Sequence, residues 1–440
     1  MVTTSRIPEP VRETPAPAPP RVPARAVIEL EDPVPAPLPE PRGLSPGPIR
    51  QVHVFWLAGM SCDGCTIAVS GATNPSIEEL LTASIPGVPR VVLHHPVLSV
   101  EAGEAFVHHF ELAAEGELDD PFVVVYEGSV PNEELAAQTG GYWSALGVRW
   151  EGDQPRPIST AEWLRRMAPA AAAVIAIGTC ATWGGVPAAI GNPTDAMGVM
   201  DFLGPDYRSA LGLPVINIPG CAPVGDNFTE TVAAILLFLQ GLGPLPEFDE
   251  LGRPAWLFQE TVHRGCTRAG FYEEGDFADH YGDRRCLVEI GCWGPVVNCN
   301  IARRGAINHM GGCMNVGGIC IGCTMPGFPD RFSPFYQRPP GTLISSSASR
   351  VHGTLIRNLR RLTNKFMDRS VRWGEEGEMA TGWGEVPGPN LLERIGHHIY
   401  QWMQWRLGGE PVGHVTFSSF YGLPRPHGEP EEKEDEAPET

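Results

Sequence analysis

Eleven cysteines are spread through this 440-residue chain, and they limit what it can fold into more than any other feature. The count is odd and no secretory apolar segment opens the chain, so a disulfide framework is not expected. In a reducing compartment, thiols used this heavily are more often metal ligands. The cysteines therefore predict a protein that binds metal.

The charge of the chain restricts its partners. It holds 52 acidic and 32 basic residues, for a formal net charge of −20. Nucleic acids and anionic membranes both require a basic face, so neither is expected as a partner. Because 42% of the residues are hydrophobic, the chain can bury a sizeable core. We expect a globular protein whose partner is another protein or a small molecule.

The two ends differ in composition from the middle of the chain. Residues 1–48 hold fourteen prolines and predict a disordered, Pro-rich arm, and residues 427–440 form an acidic tail. The arm has no adjacent Arg-Arg pair followed by an apolar stretch, and no later segment offers 18 uninterrupted apolar residues. These features predict a cytoplasmic protein that reaches a membrane, if at all, only through a partner.

Apolar runs alternate with helix-length segments in the first half of the chain. The runs at 51–57, 122–126, 172–177 and 214–218 resemble buried strands, and helical patterns lie between them at 76–82, 160–167 and 227–240. This alternation predicts an α/β domain over residues 49–248, with a parallel sheet and helices on both faces.

The pattern changes at about residue 249. Gly, Cys, Pro and Asn dominate residues 249–340, which could hardly fold around side-chain packing alone, so an inorganic core is expected there. In a C-terminal extension over residues 341–426, amphipathic helices are predicted at 354–368 and 391–407. The apolar stripe of the second helix predicts packing on this chain or on a partner, and a membrane-surface role is the alternative.

Three of the predicted strands run directly into cysteines. Cys62 and Cys65 follow the first strand, Cys180 follows the third, and Cys221 follows the fourth. Because the carboxyl ends of parallel strands meet at one edge of a sheet, we expect these four thiols to converge. Four soft thiolates fit either zinc or an iron-sulfur cluster. Zinc sites usually pair two C-x-x-C motifs, and these four cysteines include only one, which favours the cluster.

The second half supplies eight further candidate ligands. They are His263, Cys266, Cys286 and Cys292, then Cys299, Cys313, Cys320 and Cys323. His263 is interpreted as a ligand because it stands three residues from a cysteine in a segment rich in ligands. The histidines at 53, 94, 95, 108 and 109 are interpreted as structural or surface residues. Eleven cysteines and His263 make twelve ligands, enough for three four-ligand clusters.

Motifs of known catalytic chemistry are missing from the sequence. It has no G-x-G-x-x-G after a predicted strand, no P-loop and no H-E-x-x-H. The chain is therefore interpreted as a carrier of single electrons, with the reaction taking place on another subunit or a separate cofactor. Such a chain requires a protein partner.

Six short motifs resemble, in their order along the chain, those of the small subunit of NiFe hydrogenases. They are Cys62-Asp-Gly-Cys65, Gly178-Thr179-Cys180-Ala-Thr-Trp-Gly184-Gly185, Pro219-Gly220-Cys221-Ala-Pro223, His263-x-x-Cys266, Gly291-Cys292-Trp-Gly294-Pro295 and Cys320-Ile-Gly-Cys323. The resemblance covers residues 50–335. It implies that the α/β domain is flavodoxin-like and faces a NiFe large subunit.

The same resemblance implies three cluster sites. Cys62, Cys65, Cys180 and Cys221 would bind a proximal 4Fe-4S cluster; His263, Cys266, Cys286 and Cys292 a distal 4Fe-4S cluster; and Cys299, Cys320 and Cys323 a medial cluster. Glu127-Gly128-Ser129 resembles a family motif that lines the proximal site, and a simple strand-to-loop turn is the alternative interpretation.

One departure from the family pattern concerns the medial cluster. Many members have three medial cysteines and a 3Fe-4S cluster, with proline near the position that holds Cys313 here. We expect Cys313 to be the fourth ligand of a medial 4Fe-4S cluster; if it is not a ligand, a 3Fe-4S cluster is expected.

Further departures concern oxygen, protons and location. Gly64 and Gly185 stand where the oxygen-tolerant membrane-bound class has extra cysteines, so that tolerance mechanism is not expected. Ile67 replaces a commonly acidic residue implicated in proton exit, so protons would leave by another route. The missing export signal and membrane anchor, with the long C-terminal extension, are similar to the actinobacterial-type high-affinity uptake group. In relatives of that type an aspartate can replace the second proximal cysteine, but Cys65 is present here, so Asp63 need not be a ligand.

One principal hypothesis and two alternatives follow. The chain is expected to be the electron-transfer small subunit of a cytoplasmic NiFe hydrogenase, inactive alone and assembled with its large subunit into a dimer of heterodimers or larger. Electrons from H2 would pass through the proximal, medial and distal clusters to an unidentified acceptor, with His263 marking the exit. The alternatives are a related subunit of a complex I-like or deazaflavin-reducing assembly, and a zinc-stabilised scaffold.

Overall fold

A parallel sheet organises the first part of the computed structural model, which describes residues 49–138, 140–339, 342 and 344–351. The strands, including those of a separate hairpin, are β1 (Gln51–Ala58), β2 (Arg90–His94), β3 (Phe122–Glu127), β4 (Ala145–Glu151), β5 (Gln154–Ser159), β6 (Ala173–Ile177) and β7 (Ile216–Ile218). β4 and β5 form the antiparallel hairpin, and the others pair in parallel in the order β2-β1-β3-β6-β7. Without the hairpin, this is the 2-1-3-4-5 order of flavodoxin-like sheets. The predicted parallel sheet is confirmed.

The helices of this part lie mostly between successive strands. They are α1 (Gly64–Ser70), α2 (Ile77–Leu81), α3 (Glu104–Glu115), α4 (Glu133–Gln138), α5 (Thr160–Met167), α6 (Gly178–Trp183), α7 (Val199–Leu203) and α8 (Gly225–Leu239). The three predicted helices correspond to α2, α5 and α8. Ser76 and Ser159 each accept a hydrogen bond from the backbone N–H three residues ahead, which explains where α2 and α5 begin.

Helices cover both faces of the sheet, as predicted. Successive side chains of a strand point to opposite faces, so β1 contributes to two cores. Phe55 and Leu57 pack with residues of α3 and α5 on one face. Val54 and Trp56 pack with residues of α1, α2 and α8 on the other. The central strands β3 and β6 are buried along their whole length, as continuous apolar runs predict.

The sequence pattern does not reveal β2 or the β4–β5 hairpin. β2 is a short edge strand that pairs only with β1 among the described strands. Its apolar run ends in His94 and His95, two residues that rarely signal a strand. The hairpin is largely exposed, and its residues therefore lack the apolar run that marks a buried strand.

The cysteine-rich part contains short helices and loops. The helices are α9 (Ala255–Phe258), α10 (Val262–Gly265), α11 (Ala269–Glu273) and α12 (Ile301–Arg304), with 3-10 turns at Val288–Ile290 and Asp330–Phe332. Cysteines belong to its hydrophobic core: Cys292, Cys299 and Cys320 are buried beside Met314 and Phe328. The boundary at residues 248 and 249 and the inorganic core of residues 249–340 stay predictions.

Several predicted segments lie outside the described residues. These are the arm at 1–48, both amphipathic helices of the extension at 341–426, and the acidic tail at 427–440. Among the residues that are described, no helix combines the length and apolar character needed to span a membrane.

Candidate metal centres

The first group of thiols lies at the carboxyl ends of the parallel strands. Cys62 and Cys65 follow β1, with Cys65 in the first turn of α1; Cys180 lies in the first turn of α6 after β6; and Cys221 follows β7. Burial raises the pKa of the Cys65 thiol far above its usual value, and Glu127 and the thiols of the other three cysteines raise it further. The structure therefore brings these four predicted ligands together, as the strand-end argument requires.

Two glycines leave room for the sulfurs of this group. A Cβ on Gly178, whose φ is +83°, would overlap the Cys65 sulfur. A Cβ on Gly185, at φ +55°, would lie 2.8 Å from the Cys180 sulfur. Because L residues rarely adopt these φ values, both positions favour glycine for two reasons at once. Gly185 stands where the oxygen-tolerant membrane-bound class is expected to have an extra cysteine, and this crowding leaves little space for such a side chain.

The Glu127 carboxylate anchors the start of α1 beneath the first group. It is 1% exposed, and its Oε1 accepts hydrogen bonds from the backbone N–H groups of Cys65 (3.0 Å) and Thr66 (3.3 Å). Its Oε2 accepts from Trp56 Nε1 (2.9 Å) and from the Thr66 hydroxyl (2.5 Å). His95 Nε2 lies 3.0 Å from that hydroxyl. The Glu127-Gly128-Ser129 motif thus does more than turn the chain, because its carboxylate holds a ligand loop in place.

A second group surrounds a small cavity in the cysteine-rich part. His263, Cys266, Cys286 and Cys292 all line it, together with apolar residues such as Val288 and Pro295. Burial raises the pKa of Cys286 to about 12 and that of Cys292 to about 11. Burial also lowers the pKa of His263. A neutral imidazole is the form that binds a metal, so the environment of His263 suits a ligand.

The third group lies between the other two. Burial, together with the neighbouring Cys313 thiol, raises the pKa of Cys299 to about 12. The pKa of Cys323 is raised by burial and then by Cys299, Cys313 and Cys221. Cys320 is likewise buried and is affected by Cys292, Cys323 and Cys299. The Cys313 thiol is near enough to Cys299 and Cys323 to raise their pKa values, and it also raises that of Cys292 in the second group. Its role as a fourth medial ligand stays a prediction.

Neighbouring groups contact each other directly. The backbone N–H of Cys221, in the first group, lies near enough to the Cys323 sulfur of the third to lower the pKa of that thiol. The backbone N–H of Cys320, also in the third group, donates to the Cys292 sulfur of the second at 3.4 Å. The Cys320-Ile-Gly-Cys323 segment therefore reaches one neighbouring group with each of its two cysteines.

The spacing of the ligand atoms separates zinc from iron-sulfur clusters. Around one tetrahedral zinc with Zn–S bonds of about 2.3 Å, the sulfurs lie about 3.8 Å apart. Within the described residues, no three of the cysteine sulfurs and the His263 ring nitrogens lie within 4.8 Å of one another; the group that meets this limit is the exposed Asp279, His280 and Asp283. In a cluster each cysteine binds a different iron, so its ligands stand farther apart. The arrangement fits clusters better than mononuclear zinc.

The charge of the candidate ligands also suits bound iron. All eleven cysteines are free thiols in the structure. Burial disfavours a thiolate without a compensating cation, and the raised pKa values of the buried thiols reflect this. Iron would supply the missing positive charge, and thiolate is its preferred ligand in such clusters. The hydrogen bonds from the backbone N–H groups of Gly294 and Cys320 to Cys292 suit a sulfur atom that carries negative charge.

Several site features have no sequence signal. Thr66, His95 and Trp56 support Glu127, and Thr179 joins the first group to the third. Each is a common residue type whose partner is distant in the sequence. Only the position of Thr66 and Thr179 beside a cysteine could have drawn attention to them.

Comparison with known proteins finds similarity to hydrogenase small subunits in both parts of the chain. Residues 258–336 match the C-terminal family model of the NiFe/NiFeSe hydrogenase small subunit, and residues 62–235 match the model of the 20 Kd subunit of NADH ubiquinone oxidoreductase. The periplasmic [NiFeSe] hydrogenase small subunit of Desulfomicrobium baculatum is 32% identical over 289 residues, which are 65% of this chain and 87% of the relative. The quinone-reactive Ni/Fe-hydrogenase small chain of Wolinella succinogenes is 31% identical over 292 residues, which are 65% and 74%.

Solved structures extend the similarity to the fold. An actinobacterial-type NiFe-hydrogenase from Ralstonia eutropha H16 is 48% identical, with a TM-score of 0.69 over 77% of this chain and 97% of that one. An H2-activated [NiFeSe]-hydrogenase from Dm. baculatum is 30% identical, with a TM-score of 0.58 over 66% and 99%. On these matches, the chain belongs to the family of NiFe hydrogenase small subunits.

Proposed function

We propose that the twelve side chains hold three iron-sulfur clusters, and that the chain carries electrons from H2 oxidation at the NiFe site of a large subunit to an acceptor. The first group would be the proximal site, the third the medial site with Cys313 as its fourth ligand, and the second the distal site. Clusters bound there would supply one-electron redox centres.

The observation that carries this proposal is the unbroken contact between the three groups. Cys221 and Cys323 connect the proximal and medial groups, and Cys320 and Cys292 connect the medial and distal groups. A scaffold stabilised by separate metal ions would not need its sites to touch. Electron transfer requires neighbouring sites to be close, because its rate falls steeply with the distance between centres.

The chain's own residues have defined tasks in this proposal. The cysteine sulfurs and the neutral His263 imidazole would bind iron, and the backbone N–H groups of Cys320 and Gly294 donate hydrogen bonds to the Cys292 sulfur. Glu127 holds the Cys65 loop through its backbone. Apolar side chains such as Val262 and Leu287 enclose the distal group and limit the access of water.

The alternatives are less well supported. A complex I-like electron carrier would account for the match over residues 62–235 but not for the match over residues 258–336. A zinc scaffold conflicts with the spacing of the ligand atoms. The 48% identity to the actinobacterial-type enzyme supports placing the chain in that group.

Anaerobic copurification of the chain with its large subunit tests the proposal. The heterodimer should be brown, hold about twelve iron atoms per small subunit, and reduce a dye under H2. The small subunit alone should keep its colour and have no such activity. Zinc in place of iron, or H2 oxidation by the small subunit alone, would overturn the proposal.

A further inference from the structure

One buried hydroxyl joins the ligand loops of the proximal and medial groups. Thr179 is 2% exposed and directly precedes Cys180 on α6. Its hydroxyl accepts a hydrogen bond from the backbone N–H of Gly220 (3.1 Å) and donates one to the carbonyl of Cys323 (2.5 Å). Its own backbone N–H donates to the Gly220 carbonyl (3.0 Å). A single residue therefore connects the loops that carry Cys180, Cys221 and Cys323.

These contacts hold Cys323 from two sides. Its carbonyl accepts the hydrogen bond from the Thr179 hydroxyl, and its sulfur lies near the backbone N–H of Cys221, which lowers the pKa of the thiol. One turn further along α6, Trp183 donates from Nε1 to the carbonyl of Thr324 at 3.2 Å. Residues four apart share a helix face, so one face of α6 binds two successive carbonyls of the medial loop. The position of the Cys323 sulfur relative to Cys221 thus depends on α6.

The Cys221 N–H beside the Cys323 sulfur affects the redox chemistry of the medial site. A cluster gains negative charge on reduction, so an N–H dipole close to a ligand sulfur stabilises the reduced form more than the oxidised form. An N–H placed in this way raises the reduction potential. The same placement shortens the route between the proximal and medial ligands. Both effects are lost if Cys323 moves away from Cys221.

We propose that Thr179 is a positioning residue whose hydroxyl keeps Cys323 against the Cys221 N–H, and thereby raises the reduction potential of the medial cluster and speeds electron transfer to it from the proximal cluster. This inference rests on the proposed function. At the medial–distal junction, the backbone makes both corresponding contacts, Cys320 N–H to Cys292 and Trp293 N–H to the Cys320 carbonyl (2.9 Å). The proximal–medial junction differs in relying on a side chain, so a substitution can test it.

Thr179→Val in the copurified heterodimer is the main test, because valine keeps the shape of threonine and removes the hydroxyl. The midpoint potential of the medial cluster, measured by redox titration with electron paramagnetic resonance, should fall. Dye reduction under H2 should slow several-fold, whereas H2/D2O isotope exchange, which needs no electron transfer along this chain, should keep its rate. Thr179→Ser retains the hydroxyl and should restore the wild-type potential.

Thr182→Val is the matched control. Thr182 is buried on the same helix, and its hydroxyl donates only within α6, to the Thr179 carbonyl at 3.2 Å. This variant should keep the wild-type medial potential. If Thr179→Val fails to assemble, Trp183→Phe removes the neighbouring indole donor and should lower the medial potential in the same direction.

The outcomes distinguish this inference from the proposed function. Wild-type heterodimer without iron-sulfur clusters would overturn the proposed function itself. Intact clusters with an unchanged medial potential in Thr179→Val, or in Trp183→Phe where Thr179→Val does not assemble, would overturn the role of Thr179 alone. An equal shift in Thr182→Val would do the same, because any buried hydroxyl of α6 would then have the effect.

Discussion

At the scale of single residues, Gly178 shows how closely the backbone approaches a ligand. Its φ of +83° and the Cys65 sulfur both exclude a side chain. In Gly178→Ala the sulfur would have to move, so the proximal cluster should fail to assemble. The iron content of the heterodimer should then fall by about four atoms per small subunit, measured by elemental analysis.

Gly152→Ala is the control for this prediction. Gly152 also has a positive φ, +65°, but a Cβ there would meet nothing within 4 Å. The substitution should cost about 1–2 kcal/mol of backbone strain and leave the iron content unchanged. An equal loss of iron in both alanine variants would assign the effect to backbone strain, and a wild-type iron content in Gly178→Ala would contradict the prediction.

Cys313 decides the type of the medial cluster. Its thiol lies close to those of Cys299 and Cys323. If it binds the fourth iron, the oxidised wild-type protein should give no strong 3Fe-4S signal in electron paramagnetic resonance, and Cys313→Ala should produce one. A strong signal in the wild type that Cys313→Ala leaves unchanged would show that only three cysteines bind the medial cluster.

The candidate ligands could be identified from sequence because most of the cysteines stand beside a local signal, such as a strand end, a glycine turn or another cysteine. The residues that hold the candidate ligands in place could not be predicted in this way. Glu127 reaches Cys65 across 62 positions of the sequence, and Thr179 reaches Cys323 across 144. No local pattern encodes such pairs, because they exist only once the sheet has brought the loops together.

At the scale of elements, buried strands and amphipathic helices were predictable because burial imposes a pattern on their sequences. β1, β3, β6 and β7 carry apolar runs, and α5 repeats its buried residues at helical spacing. The edge strand β2 and the exposed β4–β5 hairpin lack that constraint. The cysteine-rich part has little regular structure for a pattern to indicate, so its chain path could not be derived from sequence.

The edge of the sheet contains a stack of histidines with a predictable response to pH. His94 on β2 is fully buried. Its Nε2 lies 2.8 Å from Nδ1 of His53 on β1, and its ring centroid lies 4.6 Å from that of His109 on α3. Asp120 and Glu101 also face this stack, through His53. Burial, then His53 and His109, lowers the pKa of His94 to about 3. The folded protein therefore keeps His94 neutral.

Acid should destabilise the protein through this residue. Below pH 6.5 the His94 side chain binds a proton in the unfolded chain but not in the folded protein. The free energy of unfolding therefore decreases as the pH falls, and at pH 5 it should be about 2 kcal/mol lower than at neutral pH. Urea unfolding at pH 7.5 and pH 5 measures the difference. His94→Gln should reduce it, and His108→Gln, at an exposed position, should not. An undiminished pH dependence in His94→Gln would assign the effect to other groups.

At the scale of the whole molecule, the proximal group lies at the surface. Cys62 and Cys221 are exposed, and apolar side chains stand beside the ligand loops, with Ile67 67% and Val186 57% exposed. An apolar rim around an exposed cluster site is expected to be covered by a partner. We expect the large subunit to bind this edge of the sheet.

Charge on the rim should weaken that association. Ile67→Asp and Val186→Asp would each place an unpaired carboxylate in the interface, so the dissociation constant of the heterodimer should rise roughly tenfold or more. Leu242→Asp is the control, because Leu242 is 65% exposed and follows Gln240, which bonds Ile49 at the amino end of β1, the opposite edge of the sheet. Sedimentation or size-exclusion measurements of the dissociation constant in the three variants test this prediction. Equal association in all three would place the large subunit elsewhere.

The exposure of Cys62 and Cys221 also bears on how the enzyme is made. A delivery protein that hands over iron and sulfide needs access to the receiving thiols, and the medial group, which contains the buried Cys299 and Cys320, offers far less. Once the sheet edge is covered by a large subunit, the proximal thiols become inaccessible too. Biogenesis should therefore follow a fixed sequence, in which the small subunit receives its inorganic components first and meets its partner afterwards.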